Sequence, residues 1–492
     1  MSGRRVHQVF RVELDLCAGQ RQALDRWEGA ARFVFNWGLG LVKERLSLRR
    51  LLGLHPDVVV PWSLAALRRE WNDQKATVAP WSGEVSWWAF ETGLAQLADA
   101  LDAFSKSRKG QRSGRRVGFP RLKKRGRDSV GILVRNKTQP GKATREDPVK
   151  LAAWKPAMKI CPVGPRHVKI PSLGTMRTKE KLGRYWSLMA RDPSARLVEA
   201  TLKRRGNRWF VCLCVEYEAK PVRAQRPNEI VGLDAGIKSL MVLSTGQEIT
   251  NPRPLLEVQD KLARLQRETD ELRRRLNPGN YHLDGRAKRG LREWKSNLRL
   301  RRLEAQVCKT QARCQNIREN TAHVLTSRLI RRYGGIAIES LSIENMKANH
   351  KLAKHISDAG WGRIFSQFAY KAAWHDRHIF APGRFEPSSK TCSGCGSVKP
   401  KLDLSERTFA CPDCGLVIDR DHNAALNLAQ WAVAERRLAG EPGWQVATRR
   451  TGTSPEPNPH LTVTVAADAS DGLDAAPARS HTARQALAYS TR

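Results

Sequence analysis

Ile230-Val231-Gly232-Leu233-Asp234-Ala235-Gly236-Ile237 opens the stretch on which the fold turns, and Lys238-Ser239-Leu240-Met241-Val242-Leu243-Ser244 completes it. Two apolar runs lie around Gly232 and Gly236, the pattern of a buried strand turning into a second strand. Asp234 is the only ionisable residue before Lys238. It therefore stands where the first buried strand ends. A second run of this kind, Gly335-Ile336-Ala337-Ile338-Glu339, also reads as a buried strand closing on a carboxylate. Between the two, Leu255 to Arg332 is long, charged and helical in period, and it breaks at Asn277-Pro278-Gly279, which predicts two long antiparallel helices. Its mixture of Arg, Lys and Glu fits a solvated face, a coiled-coil hairpin or a nucleic-acid brace, with the first two as the default. Beyond Glu339, Ala373 to Phe380 continues the α/β alternation.

Further along the chain, Cys392-Ser393-Gly394-Cys395 and Cys411-Pro412-Asp413-Cys414 form two CxxC knuckles, followed by Gly396 and Gly415 respectively. Such knuckles aim four thiolates at one ion with no open position, so the spacing predicts a structural zinc ribbon, an iron centre being the minor alternative. A third carboxylate follows in Asp419-Arg420-Asp421-His422-Asn423-Ala424-Ala425. Asp421 would open a helix running through Ala424, Ala425, Leu426 and Leu428, where the macrodipole favours an acid, so an ordinary cap is its plain reading. Taken singly, Asp234, Glu339 and Asp421 each read as structural. Taken together, they are hard oxygen ligands of the kind that hold two Mg2+ ions about 3.5–4 Å apart for phosphodiester hydrolysis.

The first half of the chain reads differently. His7 to Leu16 alternates as a strand, Gln20 to about Arg50 and Trp62 to Phe104 carry helical spacing, and Ser105 to Arg127 is a basic loop containing Gly118-Phe119-Pro120-Arg121. Arg135 to Arg166 is polar and proline-bearing and reads as a loop or poorly ordered insertion. Val168 to Pro171, Tyr185 to Ala190, Leu197 to Lys203 and Trp209 to Tyr217 are short β-type runs, the last two joined by a hairpin at Arg204-Arg205-Gly206-Asn207. With the first strand they would close a small antiparallel barrel. From about Gly440 the chain has no period and reads as a disordered tail.

Composition narrows the partner. The 492 residues carry a net charge of +39 and an estimated pI near 10.5, and the excess is spread along the chain. Spread positive charge favours a long nucleic-acid track over a membrane patch or a tail. Trp37, Trp62, Trp81, Trp87, Trp88 and Phe104 are interleaved with basic stretches as base-stacking platforms would be, although core packing is the commoner fate of each. Arg121, Lys123, Lys124 and Arg125 are candidates for phosphate contacts, a solvated loop being an equal reading of any one. Without an apolar leader or a membrane-length run, the chain is expected in the cytosol, where four of the ten cysteines, set as two CxxC pairs, point to metal binding and not to disulfides.

These motifs resemble the TnpB family of transposon-encoded RNA-guided nucleases and the related compact type V CRISPR effectors. Asp234, Glu339 and Asp421 lie in contexts like the three RuvC motifs of that family, in the same order, with the cysteine pairs between the second and the third. Phe33-Val34-Phe35-Asn36-Trp37, Gly118-Phe119-Pro120-Arg121, Ile170-Pro171-Ser172-Leu173-Gly174, Tyr370-Lys371-Ala372 and Ser388-Ser389-Lys390-Thr391-Cys392 also match, so the likeness covers roughly residues 6 to 430. The resemblance implies a multidomain α+β protein: an RNase H-like (RuvC) α/β nuclease domain with a four-cysteine zinc ribbon, and an antiparallel β-barrel wedge domain with an inserted helical recognition domain. Mapped onto this chain, the wedge would comprise 1–18 and 135–226 with the polar insertion 135–166, and the recognition domain 19–134. The nuclease domain would comprise 227–387 with its helical hairpin 255–332, and 418–438, with the ribbon at 388–417 and a disordered tail at 439–492.

By the same resemblance Asp234, Glu339 and Asp421 would bind two catalytic Mg2+ ions, and Cys392, Cys395, Cys411 and Cys414 a structural Zn2+. Asp419 competes for the third carboxylate role, but the family's aspartate stands two residues before the asparagine, here Asn423. The implied partners are a guide RNA and double-stranded target DNA, with transposon or CRISPR-associated components and no membrane, in a prokaryotic cytoplasm at the nucleoid. RNA–DNA pairing, not side chains, would then choose the target. Two rivals remain at this level: a nuclease-silent RNA-guided repressor, disfavoured by the three retained acids, and a guide-independent RuvC-type nuclease or resolvase, which would not need the N-terminal half.

Overall fold

A computed structural model describes residues 4–51, 58–112, 114, 116–125, 128–136, 148–153, 159–288, 293–383, 386–403, 406–448 and 474–475. The chain divides into two compact units, His7–Glu218 and a second made of Met1–Val6 with Ala219–Arg492.

In the unit His7–Glu218, strands β1 (Arg4–Asp15, entering at His7), β2 (Ile132–Arg135), β3 (Cys161–Gly164), β4 (His167–Ile170), β5 (Gly174–Thr178), β6 (Arg196–Arg205) and β7 (Arg208–Ala219) form one sheet. Their order is β2-β6-β7-β1-β5-β4-β3. Burial in β7 alternates, with Trp209, Val211, Leu213 and Val215 inward, because successive strand side chains point to opposite faces. Those residues share a core with helices α1 (Ala18–Leu51), α2 (Leu64–Val78) and α3 (Trp87–Arg108). Ser63 starts α2 by accepting a hydrogen bond from Ala66 N at 3.2 Å. Leu67 and Trp71 of α2 meet Leu94, Leu97 and Leu101 of α3 in that core.

Two expectations for this unit change. Tyr185 to Ala190 is not a strand but the centre of α4 (Gly183–Arg191), since its buried residues, Tyr185 and Leu188, are three apart and share a helical face. The expected closed barrel is also absent among the described residues: β2 and β3 end the sheet without pairing. A side chain spans that seam in place of a ladder. Asn136 Nδ2 donates to Ile160 O (2.9 Å) and Leu197 O (3.1 Å), while its Oδ1 accepts from Lys159 N (2.8 Å) and Ile160 N (2.9 Å). Pro162 in β3 has no N–H to offer a neighbouring strand, which suits an edge position. Part of the expected insertion, 137–147 and 154–158, lies outside the described residues.

The other unit is a three-layer α/β arrangement. Its sheet runs β10-β9-β8-β11-β12, from β8 (Arg226–Asp234), β9 (Ser239–Leu243), β10 (Glu248–Thr250), β11 (Tyr333–Ile338) and β12 (His378–Phe380). The pairs β8/β9 and β9/β10 are antiparallel, whereas β8/β11 and β11/β12 are parallel. The helical segment expected between the two buried strands forms α5 (Gln259–Leu276) and α6 (Leu298–Arg332), and α7 (Trp361–His375) precedes β12. Alternation sorts the faces. Val231, Leu233, Ile336 and Ile338 pack with Leu325 and Leu329 of α6 and with Ile364 and Phe368 of α7. Ile230 and Ala337 turn the other way, onto Leu428, Ala432 and Val433 of α8 (Arg420–Leu438). A small antiparallel hairpin, β13 (Thr408–Ala410) with β14 (Val417–Asp419), holds the second cysteine pair in its turn and leads directly into α8.

The stretch expected to open a disordered tail is built into this sheet. Strand β15 (Gln445–Val446) pairs in parallel with β8, and the buried Ala447 donates its N–H to Ile230 O at 2.8 Å. Residues 449–473 and 476–492 lie outside the described residues. Among the described residues, no helix is long and apolar enough to cross a membrane.

Candidate active site and metal centre

Asp234 ends β8, and Glu339 follows the last residue of β11. The two strands are parallel neighbours in which Ile338 stands opposite Leu233, so the carboxylates leave the same edge of the sheet side by side. Adjacent strands are about 4.8 Å apart, which fixes the scale of that pairing. Asp421 reaches the same place from α8. That helix lies directly on β8 because position 232 is a glycine: a Cβ there would sit 1.9 Å from Ala425 O and 2.9 Å from Ala429 N.

The electrostatics record the convergence. Burial drives the Asp234 carboxyl up from its ordinary value to about 8, and the charges of Glu339 and Asp421 push it further in that direction, with Arg420 opposing and Asp419 adding a little. Burial also raises Glu339. Asp421 is shared with cations of its own: Arg420 Nε and Nη2 each lie 3.1 Å from Oδ1, and Arg407 Nη1 lies 3.8 Å from Oδ2. The cap reading settles on its neighbour. Asp419 Oδ1 accepts from Asp421 N (3.0 Å) and His422 N (2.9 Å), so Asp419 caps α8 and the Asp421 side chain is left for other partners.

Sequence reasoning missed the groups that brace these acids. Ser244 Oγ accepts from Gly232 N (3.2 Å) and donates to Ala447 O (2.7 Å), while Ser244 O lies 3.0 Å from His422 Nε2. One serine thus joins β8, α8 and the C-terminal strand. The available signals were local: Arg420 and His422 flank Asp421 directly, and Ser244 ends the first quoted stretch.

Cys392, Cys395, Cys411 and Cys414 form the one group of three or more His, Cys, Asp or Glu among the described residues whose ligand atoms all lie within 4.8 Å of one another. The Sγ atoms of Cys392 and Cys414 are 3.6 Å apart, as are those of Cys395 and Cys411. A tetrahedral ion with metal–sulfur bonds of about 2.3 Å requires sulfur–sulfur edges of about 3.8 Å, so the cluster fits such an ion. Gly396 (φ 79°) and Gly415 (φ 72°) turn each knuckle in the left-handed region, which a side chain would resist. Phe409, fully buried, packs with Cys392 and Cys411 beneath the cluster. The three carboxylates are grouped without being closed to that degree round an ion.

Of the four basic loop residues, Arg121, Lys124 and Arg125 are exposed. Lys123 turns inward: its Nζ lies 4.4 Å from the centre of the Phe35 ring and bonds Gln96 Oε1, and burial lowers its pKa. Asn36 holds its backbone on both sides, Oδ1 accepting from Lys123 N at 2.7 Å and Nδ2 donating to Lys123 O at 3.0 Å. Lys123 therefore anchors the loop, while Arg121, 3.7 Å from Asp128 through its Nη2, and Lys124 and Arg125 keep their side chains at the surface. Trp37 and Trp81 pack in an aromatic cluster with Phe33, Trp71 and Phe90, and both Trp81 and Trp87 remain exposed.

Three family models match the chain: "Helix-turn-helix domain" over residues 1–50, "Probable transposase" over 212–350 and "Cas12f1-like, TNB domain" over 361–428. The first of these segments is built here as one strand and one long helix. A Mycobacterium tuberculosis protein named as an RNA-guided DNA endonuclease is 29% identical over 472 residues, which is 91% of this chain and 92% of its own length. A Streptomyces pristinaespiralis protein of the same name is 35% identical over 278 residues, 56% of this chain and 63% of its own. Among solved structures, a Cas12f1-sgRNA-target DNA complex aligns with a TM-score of 0.41 and 14% identity, over 87% of this chain and 99% of that one.

Proposed function

We propose that this chain is a member of the TnpB family, with relatives among the compact type V CRISPR effectors, and that it is an RNA-guided DNA endonuclease whose cleavage centre is Asp234, Glu339 and Asp421. One observation carries the assignment of the centre: a buried Asp234 raised to about 8 by desolvation and by the charges of Glu339 and Asp421. Collecting three acids at a dehydrated sheet edge is unfavourable unless cations offset them. The sheet order β10-β9-β8-β11-β12, with α8 on one face, supports an RNase H-like (RuvC) reading of the unit. The antiparallel sheet of His7–Glu218, with α1, α2 and α3 packed in its core, supports the corresponding wedge and recognition roles.

In this reading the four cysteines hold a structural Zn2+, and the three carboxylates hold two Mg2+ ions. Bound there, the divalent ions would supply an activated water and stabilisation of the leaving oxygen. The chain's own contribution is placement and charge. Without a cation, Asp234 keeps a proton near neutrality, and Asp421 rests on Arg420 and Arg407. To serve as ligands, Asp234 would have to give up its proton and Asp421 its contacts with Arg420 and Arg407. Guide RNA and target DNA would neutralise the +39 surplus, with Arg121, Lys124 and Arg125 facing phosphates. The test is Asp234→Ala in protein purified with its RNA: Mg2+-dependent cutting should disappear while RNA and target binding persist, and undiminished cutting would sink the assignment.

A further inference from the structure

The helix that carries Asp421 also grips the first cysteine knuckle. Asn423, Asn427 and Gln430 stand at i, i+4 and i+7 of α8 and line one polar stripe. Asn423 Nδ2 donates to Thr391 O at 2.7 Å, and its Oδ1 accepts from Ser393 N at 2.9 Å. Asn427 Nδ2 donates to Ser388 O at 2.7 Å and to Thr391 O at 2.6 Å. Gln430 Nε2 donates to Ser393 O at 2.9 Å. All five bonds run from helix amides to backbone between 388 and 393, the segment that presents Cys392. Asn423 is wholly buried and Asn427 is 9% exposed, so neither can exchange these partners for water.

We infer that this amide stripe couples the metal state of the cysteine cluster to the placement of Asp421, with Asn423 and Asn427 as positioning residues. The inference rests on the reading of Asp421 as a ligand of the cleavage centre. The physical chain is short. An ion held by four thiolates would fix the backbone of the first knuckle, and the buried amides are satisfied by the backbone conformation that presents Cys392. Asn423 lies two residues after Asp421, so the same bonds that hold the knuckle hold the first turn of α8. If the knuckle relaxes, the amides lose their acceptors, the first turn shifts, and Asp421 moves relative to Asp234 on the strand below.

The experiment uses the full-length protein with its guide RNA and compares wild type with Asn427→Asp, which keeps the shape but turns oxygen toward two carbonyls. Chelator-driven zinc release, followed with a colorimetric zinc indicator, should quicken about 10-fold, as expected when a bond supporting a metal ligand is lost. The Mg2+ concentration for half-maximal cutting should also rise about 10-fold, with target binding unchanged. Asn423→Asp, which keeps the acceptor for Ser393 N, should show both effects at about 3-fold, and it decides the matter by the same criterion if Asn427→Asp does not fold. Faster zinc release with a wild-type Mg2+ requirement leaves only a structural role and overturns the coupling, as does a wild-type release rate. An Asp421→Asn control that cuts like wild type overturns the cleavage reading itself, an outcome separate from either variant's zinc release.

Discussion

Replacing Asp234 by Asn should stabilise the protein in the absence of divalent ions, because the wild-type carboxyl is held against its own tendency to ionise. Its folded pKa is about 8 against an ordinary value of 3.8. From about pH 4 to about pH 8 the folded chain therefore binds a proton that the unfolded chain does not, and stability falls as pH rises through that window. At about 1.4 kcal/mol per pH unit, the loss accumulated by pH 7 has an upper bound of about 4 kcal/mol. Protein relaxation reduces such figures two- to threefold, leaving about 2 kcal/mol, or roughly 5 °C in melting temperature. The amide is neutral at every pH and of nearly the same shape. Thermal unfolding of wild type and variant without added metal, at pH 5, 7 and 8.5, is the assay. The variant should melt higher at pH 7 and 8.5, with the gap nearly closed at pH 5. Titrated Mg2+ should raise the melting temperature of the wild type alone, by mass action on the folded state. A variant that melts at or below the wild type at pH 7, or that responds equally to Mg2+, would refute the reasoning.

Three further outcomes follow from the same geometry. Gly232→Ala must push α8 off β8, so urea unfolding should show a loss of about 3 kcal/mol and the Mg2+ stabilisation should vanish with it, since Ala425 O stands 1.9 Å from the new Cβ. Cys395→Ser should abolish stoichiometric zinc in elemental analysis and speed hydrogen exchange across 388–419; retained zinc at full occupancy would count against a four-thiolate site. Joint replacement of Arg121, Lys124 and Arg125 by Gln should lower RNA affinity and flatten its log–log salt dependence by about 2, whereas Lys123→Gln should leave the slope alone and cost about 1–2 kcal/mol of stability.

Much of this protein was readable from residue order, because strand and metal patterns are local. The buried runs ending at Asp234 and Glu339 announce themselves by unbroken apolar sequence, and the cysteine knuckles by spacing that suits a shared ion. Where periodicity was ambiguous, local reading failed. Tyr185 to Ala190 is short enough to suit either a strand or a helix, and packing of Tyr185 and Leu188 chose the helix. The expected barrel required knowing whether β2 and β3 would meet, a matter of long-range geometry that a single asparagine resolves by bridging the gap.

Sequence by itself determined the candidates for chemistry: three acids, four thiols and a basic surplus, since residue type fixes charge and ligand hardness wherever the chain goes. Tertiary structure alone decided how those groups act on one another. It set Asp234 beside Glu339 through parallel strand register and laid α8 against a glycine so that Asp421 could join them. It also turned Lys123 inward, made Asp419 the cap and stitched Ala447 into the sheet. The physical reason is that proximity, burial and hydrogen-bond partnership belong to pairs of residues distant in the chain, and these exist only once the chain has packed.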